Sequence, residues 1–170
     1  QNALNTAPDN LQLVQDVQRI GKLVRGNDLK TKADALFRQG KFADAIQGYS
    51  QALQACPGLV ACHANRAAVR LALGGESELA KCIQDVSKAF ELYTIGGGAA
   101  GIFPEKGSPK DKAWRVRMHL RRGAAYSRLG AWREGEKDYI QASRIEPGNK
   151  DIAEDLEKIK KEILCKEEKE

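Results

Sequence analysis

The stretch RRGAAYSRLGAWREGEKDYIQASRIEPG at 121–148 repeats the spacing of KADALFRQGKFADAIQGYSQALQACPG at 32–58. In both, a small residue is followed after twelve positions by another small residue, then after four by Tyr, after three by Ala and after five by Pro. We call these positions the ruler. They are Ala33, Ala45, Tyr49, Ala52 and Pro57 in the first stretch and Gly123, Gly135, Tyr139, Ala142 and Pro147 in the second. Two copies of one five-point spacing indicate an internal structural repeat.

A third copy lies between them at 65–92, NRAAVRLALGGESELAKCIQDVSKAFEL. It keeps the ruler as Ala67, Cys82, Val86 and Ala89, with an internal turn three residues longer. Each copy predicts two helices joined by a turn. Ala or Gly is needed where antiparallel helices cross closely, Tyr and Val fill the gaps between pairs, and Pro ends a helix because it cannot extend the hydrogen-bond ladder. One pair cannot bury its apolar face alone, so the pairs are expected to stack into a solenoid.

The flanking segments predict further helices. Residues 10–25 place Leu11, Val14, Val17, Ile20 and Val24 on one stripe, and a last helix from about 149 to 166 is expected to turn Ile152, Leu156, Ile159 and Leu164 inward. Between the second and third copies, the segment 94–110 carries three consecutive glycines and two prolines, which predicts a long inserted loop with Ile102 and Phe103 as an apolar tip. The loop is either a docking element or a tolerated insertion.

The composition limits the classes of function and site that the chain is expected to have. The net charge of +5 suits an acidic partner, although a solvated basic surface explains it equally well. No apolar run is long enough for a membrane span, and no signal peptide is recognisable at the first residue, Gln1. The four cysteines form no C-x-x-C pair and only two histidines are present, so we expect reduced thiols, no metal site and no cofactor.

The period and pattern of the ruler resemble the tetratricopeptide repeat over roughly residues 28–148. The resemblance implies an all-α, right-handed superhelix of three helix pairs with flanking capping helices. The corresponding divisions are an N-terminal segment with one helix at 1–27, the three repeats at 28–148 and a C-terminal capping helix with a frayed tail at 149–170.

In such a solenoid the first helix of each pair lines a concave groove, and residues four apart share one helix face. The candidates for the groove are Lys30 and Asp34 on the first helix, Asn65 on the second, and Arg117 and Arg121 on the third. They resemble the carboxylate clamp of co-chaperone tetratricopeptide domains, which holds the acidic C-terminal tail of heat shock protein 90 or 70. The resemblance implies that Lys30, Asn65 and Arg121 keep their roles in that clamp, while Arg117 replaces a Lys.

Asp34 departs from the clamp pattern, which has Asn there. A carboxylate at this position opposes binding of an acidic tail unless it is neutralised, and Lys30, Arg38 or Arg121 are the candidates to pair with it. The site therefore predicts either a chaperone-tail groove of altered preference or a repeat scaffold with another acidic or client partner.

A narrower resemblance is carried by the run RMHLRRGAAYSRLGAWREGEKDYIQASRIEPGNKDIAEDLEKI and by NRAAVRLAL and SKAFEL. These look like the C-terminal domain of the dynein axonemal assembly factors. The resemblance implies a cytoplasmic role in helping chaperones preassemble ciliary dynein motors, with other assembly factors as further partners.

Two other functional classes find little support in the sequence. The chain has few aromatic side chains on which the bases of a nucleic acid could stack, because aromatic residues make up 6% of it. An enzyme is not expected, because the adjacent Cys62 and His63 would point about 100° apart on a helix. Partner binding through the convex face or the 94–110 loop stays open.

Overall fold

Seven helices make up the part of the chain that the computed structural model describes, residues 8–95 and 104–168, and these ranges contain no strand. In chain order they are α1 Pro8–Arg38, α2 Phe42–Ala55, α3 Val60–Leu73, α4 Glu76–Thr94, α5 Pro109–Arg128, α6 Trp132–Ile145 and α7 Lys150–Glu167. No helix in these ranges combines the length and apolarity needed to cross a bilayer.

The helices pack as three antiparallel pairs, α1 with α2, α3 with α4 and α5 with α6, and each pair stacks on the next. The first helices of the pairs also contact one another, α1 with α3 and α3 with α5. This packing confirms the predicted all-α superhelix and places α1, α3 and α5 side by side along one face, which we call the groove face.

The ruler positions are buried where the pairs meet. Ala33, Ala45, Tyr49 and Ala52 are fully buried, and so are Ala67, Cys82, Val86 and Ala89 in the second pair. In the third pair, Gly123, Gly135, Tyr139 and Ala142 are buried as well. Pro57 and Pro147 follow the ends of α2 and α6 within two residues. The physical account of the ruler as a packing pattern is therefore confirmed.

A substitution at Gly123 tests the packing role of these positions, because a Cβ there would lie 2.7 Å from Cε2 of Tyr139. We expect Gly123→Ala to cost about 1–3 kcal/mol through overpacking, offset by about 1 kcal/mol from the better helix propensity of Ala. Gly21→Ala is the control, since a Cβ at this exposed helical position would meet nothing within 4 Å. Urea denaturation measures both variants. Equal stability of the two would contradict the packing role of Gly123.

The N-terminal flank differs from the expectation. Residues 10–25 do not form a separate helix, because α1 runs without a break from Pro8 into the first repeat. Gly26 is a close-packing position rather than a helix end: a Cβ there would lie 2.6 Å from Cδ1 of Leu59 and 3.0 Å from Cβ of Cys56. The apolar stripe of the first half of α1 faces solvent, with Leu11, Val14, Val17, Ile20 and Val24 each more than half exposed.

The C-terminal helix follows its prediction in part. Ile152 and Ile159 are buried and Leu156 is partly buried, whereas Leu164 is 58% exposed and does not turn inward. The Asn149 side chain caps α7 by accepting hydrogen bonds from the backbone N–H groups of Asp151 and Ile152. The last turn of α7 still reaches the start of α6, where Lys166 donates to the carbonyl of Gly130 and Glu167 pairs with Arg133, so Leu164 lies on the solvent side of the helix.

Of the segment between α4 and α5, the structure describes residue 95 and residues 104–108, so Ile102 and Phe103, the predicted apolar tip, lie outside the described residues. Its final part sets the start of α5. Ser108 caps the helix by accepting from the N–H of Asp111, and Pro109 follows at the first helical position. The Asp111 carboxylate in turn accepts from the Tyr93 hydroxyl at 2.6 Å, which ties the end of α4 to α5.

Candidate peptide-binding site

The five predicted site residues lie on the three helices of the groove face: Lys30 and Asp34 on α1, Asn65 on α3, and Arg117 and Arg121 on α5. The structure divides them into two groups. Lys30, Asp34 and Asn65 are joined by direct hydrogen bonds. Arg117 and Arg121 form the second group, one helical turn apart.

Asp34 is the centre of the first group. Its Oδ2 accepts a hydrogen bond from Lys30 Nζ at 2.7 Å, and its Oδ1 accepts from Asn65 Nδ2 at 3.0 Å. Oδ1 also accepts from the hydroxyl of Tyr49 at 2.5 Å. Of the three cations expected as candidates, Lys30 is the one that pairs with Asp34 in the described chain, while Arg38 is exposed.

The electrostatics of Asp34 follow from these contacts. Burial raises the pKa of its carboxyl, but hydrogen bonds from Lys30 and Tyr49, the charge of Lys30 and the bond from Asn65 outweigh it, so the pKa lies below its ordinary value. Burial and the neighbouring Asp34 raise the pKa of Tyr49, which keeps the phenol protonated as a donor. Asp34 is thus a stable anion held inside the predicted clamp.

Arg121 is the second feature of the groove. Its Nη1 donates to the backbone carbonyl of Ala64 at 3.0 Å, which positions the guanidinium against α3 directly before Asn65. Burial and then the like charge of Arg117 lower the pKa of Arg121. Within residues 8–95 and 104–168 the structure shows no carboxylate paired with Arg117 or with Arg121. The side chain of Arg117 is exposed.

The other arginines of α5 have separate partners. Arg115 pairs with Asp111 at 3.2 Å and Arg122 with Asp138 at 2.7 Å. Arg128 donates to the carbonyl of Leu71 at 2.6 Å. Arg117 and Arg121 are thus two groove-face cations of α5 without a carboxylate partner among the described residues, and Arg128, which is bonded to α3 through a backbone carbonyl as Arg121 is, extends the same basic strip.

Two buried polar clusters were not predicted from the sequence. In the Asp85 cluster, Asp85 accepts from Arg66 at 2.6 and 2.9 Å and from Arg70 at 2.7 Å, with His63 Nδ1 at 3.2 Å. In the Asp138 cluster, Asp138 accepts from Arg122 at 2.7 and 2.8 Å, with His119 Nδ1 at 2.8 Å. Both aspartates are 3% exposed.

These clusters also join successive helix pairs. Arg66 reaches back to the Ser50 hydroxyl on α2 at 2.8 Å, and Arg122 reaches back to the Ser87 hydroxyl on α4 at 3.2 Å. The sequence carried a usable signal for this, because each Arg directly precedes a ruler Ala or Gly and each Asp directly precedes a ruler Val or Tyr. Their role is to fix the stacking of the pairs and hence the shape of the groove face.

Comparison with known structures decides the fold family. The chain superimposes on the first tetratricopeptide domain of Spaghetti (RPAP3) bound to the heat shock protein 90 peptide SRMEEVD, with a TM-score of 0.63 and 26% identity over 82% of this chain and 93% of that one. The chain has the fold of a tetratricopeptide repeat domain. A second such structure, the second tetratricopeptide domain of human RPAP3 in complex with the heat shock protein 70 peptide SGPTIEEVD, gives a TM-score of 0.55 at 26% identity over 85% and 97% of the two chains.

Sequence relatives confirm the narrower resemblance. The tetratricopeptide domain is 34% identical over 134 residues to dynein axonemal assembly factor 4 of Rattus norvegicus, which covers 78% of this chain and 28% of the relative. It is 26% identical over 144 residues to sperm-associated antigen 1A of Danio rerio, covering 80% and 29%. The chain thus spans less than a third of the length of these relatives. A comparison with protein-family models gives no match.

Proposed function

We propose that this tetratricopeptide domain is a co-chaperone adaptor whose groove face binds the acidic C-terminal tail of heat shock protein 90 or 70. One observation carries the proposal. Arg121 is held in the groove, desolvated and beside the like charge of Arg117, and no carboxylate of the described chain neutralises it. A cation in this state gains most from an anionic ligand that forms charge-assisted hydrogen bonds with it.

The comparisons support the choice of ligand. Two solved domains at 26% identity are complexes with chaperone peptides that end in Glu-Glu-Val-Asp. Such tails bring several carboxylates on a short segment, which suits a groove face whose Arg117 and Arg121 have no carboxylate partner among the described residues. The adaptor needs no catalytic step, because the tail is held by hydrogen bonds and charge.

The similarity to dynein axonemal assembly factor 4 supports a cellular setting for the adaptor. In this proposal the domain acts in the cytoplasm during preassembly of axonemal dynein, and it brings a chaperone to the other assembly factors or to the dynein client. The divisions at 27/28 and 148/149 belong to the same proposal, with the N-terminal part of α1 and helix α7 flanking the three repeats.

The contacts of Asp34 favour one alternative, a repeat scaffold whose acidic partner is not a chaperone. Lys30 and Asn65 already serve Asp34, so the groove differs from a fully open clamp. The chaperone proposal and this alternative share an anionic ligand at Arg121 and differ in which protein supplies it.

Calorimetric titration with the peptide SRMEEVD tests the proposal, beside a twin in which each Glu is Gln and the Asp is Asn. We expect micromolar binding of the acidic peptide and binding at least about 10-fold weaker for the neutral twin, a difference of about 1.4 kcal/mol. Raising the salt from about 0.05 M to about 0.5 M should weaken the acidic peptide further, because partly exposed charges are screened. Equal binding of both peptides, or none, would refute a chaperone-tail groove.

A further inference from the structure

We propose that Asp34 is a built-in carboxylate that occupies the Lys30–Asn65 half of the groove, so that the groove does not read the free C-terminal carboxylate of its peptide. The peptide is then recognised through a side-chain carboxylate at Arg117 and Arg121. This inference rests on the proposed function, because it specifies which carboxylate of an acidic peptide the groove selects.

The geometry of Asp34 is that of a bound ligand. Both of its carboxylate oxygens are used, Oδ2 by Lys30 at 2.7 Å and Oδ1 by Asn65 at 3.0 Å. These two side chains are the ammonium and the amide that the resemblance to the carboxylate clamp assigns to ligand binding, and they come from different helices, α1 and α3. Asp34 therefore makes within the chain the contacts that an incoming carboxylate would need.

Tyr49 holds this arrangement in place from the core. Its ring is fully buried and its hydroxyl donates to Oδ1 of Asp34 at 2.5 Å. If Asp34 turned away to make room for a ligand, the buried hydroxyl would lose its acceptor, which is costly for a polar group shielded from water. Lys30 and Asp34 are each 23% exposed, so the pair lies at the groove surface and is already partly desolvated.

The charges then determine which ligand fits. The charges of Lys30 and Asp34 cancel each other. The charges of Arg117 and Arg121 have no carboxylate partner in the described part of the groove. A second ligand carboxylate placed beside Asp34 would meet a like charge at short range, which disfavours it. A neutral group in the same place, such as a C-terminal amide or the backbone of a longer chain, meets no such repulsion. The ligand class is an acidic peptide whose end need not be a free acid.

Asp34→Asn converts the built-in carboxylate into a neutral amide of the same shape. We expect the wild-type chain to bind SRMEEVD and its C-terminally amidated form with affinities within about 3-fold of each other. In Asp34→Asn the free acid should bind about 10-fold tighter than in wild type, because Lys30 loses its carboxylate partner and the like charge beside the incoming carboxylate is removed, while the amidated peptide should change by less than about 3-fold. Titration calorimetry of the 170-residue chain measures all four combinations.

Asp28→Asn is the matched control, since Asp28 is an exposed carboxylate on the same helix and the change in net charge is identical. It should leave both affinities at the wild-type values. A wild-type preference for the free acid of about 10-fold or more, with no gain in Asp34→Asn, would overturn the inference and leave the proposed function standing. Absence of binding of either peptide by both wild type and Asp34→Asn would instead defeat the proposed function, and the inference with it.

Discussion

Asp85→Ala will lower the free energy of unfolding by about 3–5 kcal/mol, the cost typical of breaking a buried ion pair from one side. The carboxylate accepts three hydrogen bonds from Arg66 and Arg70, whose side chains are 15% and 12% exposed. After the substitution both guanidinium groups stay largely buried without this partner. Arg66 keeps the hydroxyl of Ser50 and Arg70 keeps Glu78 at 3.4 Å, which are weaker substitutes.

Urea denaturation of wild type and Asp85→Ala measures this loss. Asp155→Ala is the control, because Asp155 forms an exposed pair with Lys158 on α7 and should change stability by less than about 1 kcal/mol. A loss below about 1 kcal/mol for Asp85→Ala would show that the cluster does not hold the helix pairs together.

The pH dependence of stability provides a second readout for Asp85. Burial raises the pKa of its carboxyl, but the hydrogen bonds from His63 and Arg66 and the charges of Arg66 and Arg70 outweigh burial and lower it. A lowered folded-state pKa gives stability that is present above the unfolded pKa of about 3.9 and is lost as the pH falls through the folded value. Wild type should therefore lose stability below about pH 4, and Asp85→Ala should lose less over the same range.

The repeat architecture could be predicted from the sequence because its signal is local spacing. Ala33, Ala45 and Tyr49 recur at the same intervals as Gly123, Gly135 and Tyr139, and steric demands at helix crossings leave few residues that fit there. The same repeat pattern predicts that Lys30, Asn65 and Arg121 lie on the first helices of the three pairs, where the structure has them. Their positions on α1, α3 and α5 follow from helix geometry alone.

The contacts between these residues were less accessible to sequence reasoning. The sequence offers Lys30, Arg38 and Arg121 as candidates to pair with Asp34, and spacing does not choose among them because side-chain rotamers decide the contact. The repeat pattern predicts a packing role for Tyr49, which its buried ring confirms, but its hydroxyl also donates to Asp34 on the neighbouring helix. Such a dual role needs the distance between α1 and α2, which a repeat pattern does not encode.

The course of α1 shows another limit. Gly26 lies between the predicted flanking helix and the first repeat, where a glycine commonly marks a helix end. In the structure the missing side chain instead lets α1 approach Leu59 and Cys56. Sequence alone does not separate a glycine that ends a helix from one that lets two helices approach, since both uses depend on the absent Cβ.

Arg121→Ala will weaken binding of an acidic chaperone tail by about 100-fold, or about 2.7 kcal/mol, because it removes the desolvated cation that the groove offers to a carboxylate. Arg144→Ala is its matched control, with the same change of charge at an exposed position of α6, which is not one of the groove helices. Arg121 contacts Ala64 through one hydrogen bond to a carbonyl, so its truncation should leave the fold intact. Thermal unfolding of both variants checks this.

The most direct test of the groove is therefore calorimetric titration of SRMEEVD into wild type, Arg121→Ala and Arg144→Ala at one salt concentration. The account predicts micromolar binding by wild type and Arg144→Ala and a loss of about 100-fold in Arg121→Ala. Binding by Arg121→Ala within about 3-fold of wild type would contradict it, and would place the acidic peptide elsewhere on the domain.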